Sequence, residues 1–188
     1  IGYDLYIEML HEAISEITGQ EIPEVSDTQI DLPINAFIPA NWILNREEKL
    51  DAYKSATECS NNNELTELAT DWVNRYGTLP KPVESLIMLM RLKLLAKRCG
   101  FDKIKLKKPN IFIETKLKRS TFKILKKSLP SSIQNKFNFD EGEKFSIITI
   151  RGLGVTEIQN QIDQLMFWFG LFQKEINNFD KDLLMKKE

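Results

Sequence analysis

Residues 64–76 read ELTELATDWVNRY, and this stretch decides the helical half of the fold. Its apolar side chains follow alternating spacings of three residues and one residue, which places them on one continuous face of an α-helix. Asparagines 61–63 precede the stretch as candidate N-caps, and Gly77 follows it as a stop signal. We therefore predict an amphipathic helix whose buried face consists of Leu65, Leu68, Ala69, Trp72, Val73 and Tyr76.

The opposite face of this helix is fixed by the same geometry. Taken alone, it is most simply interpreted as a solvated polar face, since surface helices are polar on the side that faces water. It is also the first candidate surface for contact with a partner. Its members are Glu67, Thr70, Asp71 and Asn74, with Arg75 beside them.

Other stretches of the first hundred residues also have helical spacing. Residues 3–17, 45–59 and 80–100 each predict a helix, and Asn45 can cap the second of these. The third is apolar on nearly every side and should be largely buried. The segment 31–39 contains two prolines and predicts an edge strand or an extended packing segment, because proline has no N–H to donate to a sheet.

The second half of the chain changes to the alternating pattern of β-strands. Pro109 and Asn110 form a turn between the first two of these stretches, which together predict a hairpin. The chain is therefore predicted to be an α+β fold, with a helical N-terminal half followed by a small antiparallel sheet with packed helices. The four alternating stretches are residues 104–106, 111–113, 137–139 and 145–150.

Two helices are predicted to pack against that sheet. A short basic helix precedes Pro130, and a long helix has an apolar face that runs from Val155 to Ile176. Phe167 and Trp168 fall outside this face. They either pack in the core or contact a missing partner, and ordinary core packing is the simpler interpretation. The charged residues from 179 onward are expected to fray.

Charge is distributed unevenly along the chain. Residues 1–75 hold 15 acidic and 4 basic side chains, whereas residues 91–127 hold 14 basic and 2 acidic ones. A basic surface for nucleic acid, an electrostatic contact between the two halves and a solvated lysine-rich surface all fit this pattern, and the last is the plainest. The candidate nucleic-acid contacts would be Lys97, Arg98, Lys118, Arg119 and Lys123.

The residues that catalysis or metal binding would need are scarce. His11 is the only histidine, and it lies on the polar side of a predicted helix, while Cys59 and Cys99 are the only cysteines. We expect two free thiols. The turn at residues 152–154 lacks the lysine of a phosphate-binding loop and is more simply a strand-to-helix turn. We therefore expect no catalytic site, no metal and no cofactor in this chain.

The sequence also bears on location. The longest apolar runs are eight residues or fewer, and acidic residues occur throughout the first twenty positions, so neither a membrane span nor a secretory signal is predicted. We expect a cytoplasmic protein. Because the chain opens at Ile1 and not at methionine, it is expected to be a fragment of a longer protein.

Three ordered motifs resemble the bacterial transcription-repair coupling factor family. Residues 2–10 read GYDLYIEML and are similar to the segment after that family's translocation motif. Residues 32–39 read LPINAFIP and resemble the element that opens its C-terminal domain. Residues 75–80 read RYGTLP and are similar to the family's helix junction. The resemblance is strong over residues 1–105 and is a matter of layout beyond them.

This resemblance implies a non-catalytic, autoinhibitory C-terminal domain of a superfamily 2 ATPase. The parent would translocate on double-stranded DNA, displace stalled RNA polymerase and recruit the damage-recognition subunit of excision repair. The domain would mask the recruitment surface by contacting an N-terminal module that resembles the repair protein UvrB. Residues 1–25 would then be a helical arm from the motor, residues 26–178 the regulatory domain, and residues 179–188 a charged tail.

The resemblance also places the contact surface on the polar face of the helix over 64–76. In the family this face carries acidic residues and an arginine, and the matching positions are Asp71, Asn74 and Arg75. Asn74 departs from the usual aspartate, which replaces an ion pair by a weaker neutral hydrogen bond. Trp42 stands where tyrosine is common, a change that fits packing. The rival hypotheses are a lysine-rich nucleic-acid-binding module and a plain interaction scaffold.

Overall fold

The computed structural model describes residues 27–186 apart from the side chains of residues 183 and 184. The predicted helix over 3–17, with His11, lies outside the described residues. The described chain divides into two compact units. Residues 34–91 form a helical unit, and residues 27–33 together with those from 92 onward form a sheet unit.

The helical unit contains the three helices that the sequence predicts, with ends within two residues of the predicted ones. Helix α1 spans Arg46–Glu58, helix α2 spans Asn62–Tyr76, and helix α3 spans Lys81–Arg98, so that the unit boundary falls within α3. The side chain of Asn45 accepts hydrogen bonds from the backbone N–H groups of the first turn of α1, with the shorter one at 2.8 Å. This satisfies donors that have no partner inside a helix.

Helix α2 is held at both ends by the predicted residues. The Oδ1 atom of Asn61 accepts from the backbone N–H of Glu64 at 2.9 Å. Gly77 adopts a φ of 86°, a conformation that favours glycine, and its N–H donates to the carbonyl of Val73 at 2.9 Å. The helix therefore stops at the RYGTLP junction because the residue there can turn the chain.

The buried face of α2 is narrower than its spacing predicts. Leu65 and Trp72 are fully buried, whereas Val73 is 43% exposed. The prediction that Val73 is buried is therefore wrong. Spacing gives the direction in which an apolar face points, but the width that becomes covered depends on neighbouring elements.

The proline-containing segment packs in an extended form, as one of the two predicted alternatives states. Its Ile38 is buried, and the N–H of Ile38 donates to the Tyr53 hydroxyl of α1 at 2.8 Å. The N–H of Phe37 donates to the carbonyl of Pro82 at 3.3 Å. Residues 34–39 thus join α1 to the start of α3, whereas Asp31 at the beginning of the segment belongs to an edge strand of the sheet.

The sheet unit contains one five-stranded sheet with the order β1-β2-β3-β5-β4. The predicted hairpin over β2 and β3 and the two later strands are confirmed, and their pairings are antiparallel. The short strand β1 pairs in parallel with β2, which the sequence does not predict. The strands span Gln29–Asp31, Phe101–Lys107, Asn110–Thr115, Phe137–Asp140 and Ser146–Ile150.

Three further helices belong to the sheet unit: α4 (Arg119–Lys127), α5 (Ser131–Gln134) and α6 (Ile158–Met185). Aromatic rings join the helices to one face of the sheet. The ring centroids of Phe101 and Phe169 lie 4.9 Å apart, those of Phe137 and Trp168 5.2 Å, and those of Phe122 and Phe139 5.0 Å. The predicted α+β fold is confirmed.

Three expectations about the last helix need revision. Trp168 packs in the core as expected, but Phe167 is 56% exposed, so the core interpretation is wrong for Phe167. Val155 is 65% exposed because it lies in a 3-10 turn before α6 begins. Helix α6 continues to Met185, beyond the point where fraying was expected.

The turn at residues 152–154 lies between β5 and α6 in the chain, and backbone contacts hold it in place. The N–H of Gly154 donates to the carbonyl of Pro109 at 2.9 Å, and a Cβ atom at Gly154 would lie 2.9 Å from that same oxygen. Close approach of two backbones therefore explains this glycine. Within residues 27–186, no helix combines the length and the apolar character that a bilayer span requires.

Candidate partner-binding face

The five predicted partner-binding residues lie together on the exposed side of α2. Their side chains are all exposed, as the helical spacing predicts. We call this surface the α2 face, and it consists of Glu67, Thr70, Asp71, Asn74 and Arg75.

One ion pair lies within the α2 face. Oδ2 of Asp71 and Nη1 of Arg75 are 3.4 Å apart, one helical turn from each other, and both side chains are 54% exposed. Exposed pairs at this spacing contribute only about 0.3–0.5 kcal/mol. Both side chains can therefore turn towards a partner at little cost in free energy.

The remaining side chains of the α2 face differ in their availability. The hydroxyl of Thr70 donates to the carbonyl of Thr66 at 2.9 Å, so its donor is used inside the helix. The side chains of Glu67 and Asn74 make no hydrogen bond with the described part of the chain. A partner could therefore engage a carboxylate and an amide that make no hydrogen bond there.

An aromatic cluster that the sequence analysis missed adjoins the end of α2. The Trp42 ring meets the Trp72 ring at 6.1 Å and the Tyr76 ring at 5.4 Å, both edge to face. The guanidinium of Arg75 lies 5.0 Å from the Tyr76 ring centroid. The arginine of the α2 face is therefore positioned by an aromatic ring as well as by Asp71.

The Tyr76 hydroxyl links α2 to α1. It donates to Oε2 of Glu48 at 3.3 Å. Burial raises the pKa of Tyr76; the charge of Arg75 lowers it, and the carboxylate of Glu48 raises it. The phenol consequently stays neutral at physiological pH and acts as a donor beside the α2 face.

Two exposed apolar side chains flank this cluster. Leu44, just before α1, is 85% exposed, and Val73 of α2 is 43% exposed. Val73 lies one turn before Tyr76 on α2, and the Tyr76–Glu48 hydrogen bond joins the end of α2 to the first turn of α1, which Leu44 precedes. The α2 face thus has an apolar margin, a composition that occurs in protein interfaces. The sequence did contain a signal for this margin, because Leu44 is an apolar residue that lies outside the spacing of the predicted helices.

The five candidate nucleic-acid contacts lie in the sheet unit, at the end of α3 and at the start and along the length of α4. Lys97 Nζ lies 3.7 Å from a carboxylate oxygen of Asp27, and Arg98 lines an apolar cavity of about 220 Å³. Lys118 precedes α4 as its N-cap residue. Arg119 and Lys123 line a separate cleft of about 490 Å³.

Comparisons with known proteins identify the domain. The family model described as "TRCF domain" matches residues 32–124. Residues 32–124 belong to the TRCF domain family. The resemblance inferred from the three motifs is thereby confirmed. The matched region contains all of the helical unit, including the α2 face.

Curated relatives of this TRCF domain carry the name transcription-repair-coupling factor. The protein of Bacillus subtilis is 35% identical over 106 residues, which is 56% of this chain and 9% of that protein. The protein of Borreliella burgdorferi is 32% identical over 116 residues, or 62% of this chain and 10% of that protein. The protein of Staphylococcus epidermidis is 30% identical over 115 residues, or 60% of this chain. The chain spans about a tenth of the length of these relatives.

A solved structure shares the fold of the TRCF domain chain. It is a crystal structure of the C-terminal domain of transcription-repair coupling factor, and it aligns with a TM-score of 0.63. The alignment covers 79% of this chain and 93% of that one at 15% sequence identity. At this identity the likeness concerns the fold, and it extends through most of the sheet unit.

Chemically reactive groups are sparse in the described part of the TRCF domain chain. Residues 27–186 contain no group of three or more His, Cys, Asp or Glu side chains that could hold a metal ion. Cys99 is buried against the carbonyl of Phe169, and burial raises the pKa of its thiol to about 12. Burial and the carboxylates of Glu64 and Glu58 raise the pKa of Cys59. Both thiols are free and protonated at neutral pH.

Proposed function

We propose that this chain is the non-catalytic regulatory domain of an ATP-dependent translocase on double-stranded DNA. The translocase would remove stalled RNA polymerase and recruit the damage-recognition subunit of nucleotide excision repair. The observation that carries the proposal is the TRCF domain over residues 32–124, together with relatives named as coupling factors. Residues 26–178 would form the regulatory domain, and residues 1–25 would connect it to the motor in a cytoplasmic protein.

The regulatory contact is assigned to the α2 face. This face would bind the UvrB-like N-terminal module of the parent protein and mask the surface that recruits the repair subunit. Support comes from the exposure of all five side chains and from the weak Asp71–Arg75 pair, which a partner can replace. A contact of this kind has a coupling free energy of about 1–3 kcal/mol. Rearrangement of the motor on ATP and DNA can overcome a free energy of that size.

Charge reversal in the full-length translocase tests this assignment. The double variant Asp71→Arg with Arg75→Asp keeps an ion pair on α2 but exchanges the positions of its two charges. Each charged group of the partner would then meet a charge of the same sign. The variant should raise basal ATPase activity and binding of the repair subunit by about fivefold or more, the lower end of an ordinary coupling free energy. Steady-state hydrolysis without DNA and pull-down of the repair subunit measure the two effects.

A matched control lies on α1. Lys54 and Glu58 form an exposed pair at the same helical spacing, with Nζ and Oε1 3.9 Å apart. The exchange Lys54→Glu with Glu58→Lys alters charge to the same extent outside the α2 face and should leave both readouts unchanged. Wild-type activity in the α2 variant, or equal activation in the α1 control, would remove the α2 face from the regulatory contact.

Asn74 offers a test in the opposite direction. If the family's aspartate strengthens the contact, Asn74→Asp should lower basal ATPase activity and repair-subunit binding below the wild-type level. An unchanged or increased activity would mean that position 74 does not meet the partner.

Nucleic-acid binding by the basic stretch has less support. Of the five predicted contacts, only Arg119 and Lys123 line one cleft, while Lys97 pairs with Asp27 and Arg98 lines another cavity. A nucleic-acid-binding module would still bind duplex DNA with a steep dependence on salt, because each neutralised phosphate releases counterions.

A further inference from the structure

Tyr76 lies where the α2 face meets the aromatic cluster of the helical unit. It is the last residue of α2, and Gly77 turns the chain directly after it. No further helical turn therefore holds the Tyr76 ring from the C-terminal side. The position of the ring depends instead on side chains that lie outside α2, namely Trp42 and a carboxylate of α1.

Two contacts fix the Tyr76 ring. The Trp42 ring meets it edge to face with centroids 5.4 Å apart, and Trp42 in turn meets the fully buried Trp72 at 6.1 Å. The Tyr76 hydroxyl donates to Oε2 of Glu48 at 3.3 Å. Edge-to-face ring pairs stabilise a structure beyond the area that they bury. The Tyr76 ring is thus connected to the core of the helical unit, although Tyr76 itself is only partly buried.

The ring in turn holds the guanidinium of Arg75, which lies 5.0 Å from its centroid. At this distance a cation is attracted to the face of an aromatic ring. Within the described part of the chain, Nη1 of Arg75 donates to Asp71 at 3.4 Å, whereas Nε and Nη2 make no hydrogen bond. The ring therefore orients a cation whose remaining N–H groups are available to a partner.

These N–H groups determine the kind of group that Arg75 can bind. A guanidinium presents its donors in a planar fork, which matches the two oxygens of a carboxylate. An exposed arginine without support loses many rotamers when it binds, and this loss of entropy opposes binding. A ring that already limits the rotamers of Arg75 in the free domain removes part of that loss.

We propose that Tyr76 is a positioning residue for the regulatory contact, and that its ring holds Arg75 in the orientation that binds a carboxylate of the UvrB-like module. This inference rests on the proposed function of the α2 face. It adds which chemical group of the partner the face recognises, and why a residue outside the face affects that recognition. If the ring and the guanidinium only stabilised the end of α2, Tyr76 would not affect the partner through Arg75.

The test replaces Tyr76 in the full-length translocase. Tyr76→Leu removes the ring and should raise basal ATPase activity and binding of the repair subunit by about two- to fivefold, which is the strength of an exposed cation–π contact expressed as a ratio of equilibrium constants. Tyr76→Phe keeps the ring and should behave like the wild type. Tyr53→Phe removes the acceptor of the buried Ile38 N–H, leaves the α2 face unchanged and should alter neither readout. Equal activation by Tyr53→Phe would assign the effect to lost stability and overturn the proposal.

A double-mutant cycle shows whether Tyr76 acts through Arg75. In an Arg75→Gln background the guanidinium is absent, so Tyr76→Leu should cause no further increase in either readout. An increase of the same size in both backgrounds would mean that Tyr76 acts independently of Arg75, and the proposal would be wrong. If exchange of the Asp71 and Arg75 charges activates the translocase but Tyr76→Leu does not, the α2 face keeps its function and the positioning role is lost. If neither change activates it, both assignments fail.

Two further measurements address the geometry and the recognised group. In NMR spectra of the 188-residue chain, the ring current of residue 76 should shift the Hδ resonances of Arg75 in the wild type and in Tyr76→Phe, but not in Tyr76→Leu. Wild-type shifts in Tyr76→Leu would show that the ring does not hold the guanidinium. Arg75→Lys keeps the charge without the planar fork and should activate the translocase nearly as much as Arg75→Gln. If Arg75→Lys instead behaves like the wild type, the contact needs only a positive charge and orientation by Tyr76 has no role.

Discussion

The helical unit and the sheet unit differ in how their cores are built. In the helical unit the largest fully buried side chain is Trp72, which is 1% exposed and meets Trp42 edge to face. In the sheet unit the same task is shared among rings from two strands and α6, since Phe101 and Phe137 each contact Phe172 at 6.1–6.2 Å. We therefore expect truncation of Trp72 to cost the helical unit more than truncation of any one ring costs the sheet unit.

The largest effect that follows from this difference is at Trp72. Trp72→Ala should lower the free energy of unfolding of the helical unit by about 3–5 kcal/mol, because it removes a fully buried ring and leaves a cavity. Urea unfolding followed by far-UV circular dichroism measures the loss. In the double variant Trp42→Phe with Trp72→Ala, Trp168 is the only tryptophan that remains, so its fluorescence reports on the sheet unit, and this transition should shift less.

A matched control for Trp72 is its neighbour. Val73 is 43% exposed, so Val73→Ala should cost less than about 1 kcal/mol. If Trp72→Ala moves the circular dichroism and Trp168 transitions by equal amounts, the two units unfold as one and the contrast between their cores has no thermodynamic meaning.

The same contrast explains which parts of the fold the sequence could predict. Helix α2 was located correctly because its signals are local: the cap at Asn61, the apolar spacing and the stop at Gly77 lie within 17 residues. Strand β1 was missed because its partner β2 begins about seventy residues later, and three residues carry too little pattern to specify a pairing. Pairing between distant segments is decided by tertiary packing, which periodicity does not describe.

The candidate sites also differ in whether local sequence signals could predict them. Helical spacing was enough to predict that the α2 face is exposed, and the resemblance supplied its role. The cleft that Arg119 and Lys123 line could not be predicted, because it exists only if β4 is the edge strand and α4 lies beside it. Phe167 is a similar case, since its exposure depends on which side of α6 the sheet covers.

A smaller effect concerns hydrogen bonds that each unit makes to a buried backbone group. In the helical unit, Tyr53→Phe removes the acceptor of the Ile38 N–H and should cost about 1–3 kcal/mol, because a buried donor loses its partner. In the sheet unit, Thr28→Val removes a hydroxyl that donates to the Phe101 carbonyl at 2.8 Å. That carbonyl can accept a second bond, so the cost should be about 0.5–1.5 kcal/mol. Chemical denaturation at neutral pH gives both values.

The Tyr53 variant also has a pH signature. Burial raises the pKa of Tyr53 above its usual 10.0 and outweighs the hydrogen bond from Ile38, which lowers it. A raised pKa in the folded state means that the phenol contributes its full stability below pH 10 and loses it as the pH rises above that value. Tyr53→Phe should therefore flatten the alkaline decline in stability. If stability declines as steeply with pH in the variant, groups other than Tyr53 cause the decline. If Tyr53→Phe and Thr28→Val lower the free energy of unfolding equally, the loss of an acceptor and the loss of a donor do not differ in effect.

The smallest effect distinguishes the helix ends of the two units. Helix α2 has a side-chain cap at Asn61, and the carboxylate of Glu64 accepts in return from the N–H of Ser60 at 2.6 Å. Helix α4 starts after Lys118, whose side chain makes no capping hydrogen bond and places a positive charge at the positive end of the helix dipole. Lys118→Asp should therefore stabilise the sheet unit by up to about 1 kcal/mol, whereas Asn61→Ala should destabilise the helical unit by about the same amount.

Lys127→Asp makes the same change of charge at the other end of α4 and serves as the control for Lys118→Asp. At that end the helix dipole favours a cation, so the variant should lower the free energy of unfolding by about 0.3 kcal/mol. Thermal unfolding monitored by circular dichroism, with Trp168 fluorescence to report on the sheet unit, resolves the opposite signs. If both α4 variants change stability in the same direction, net charge governs the result.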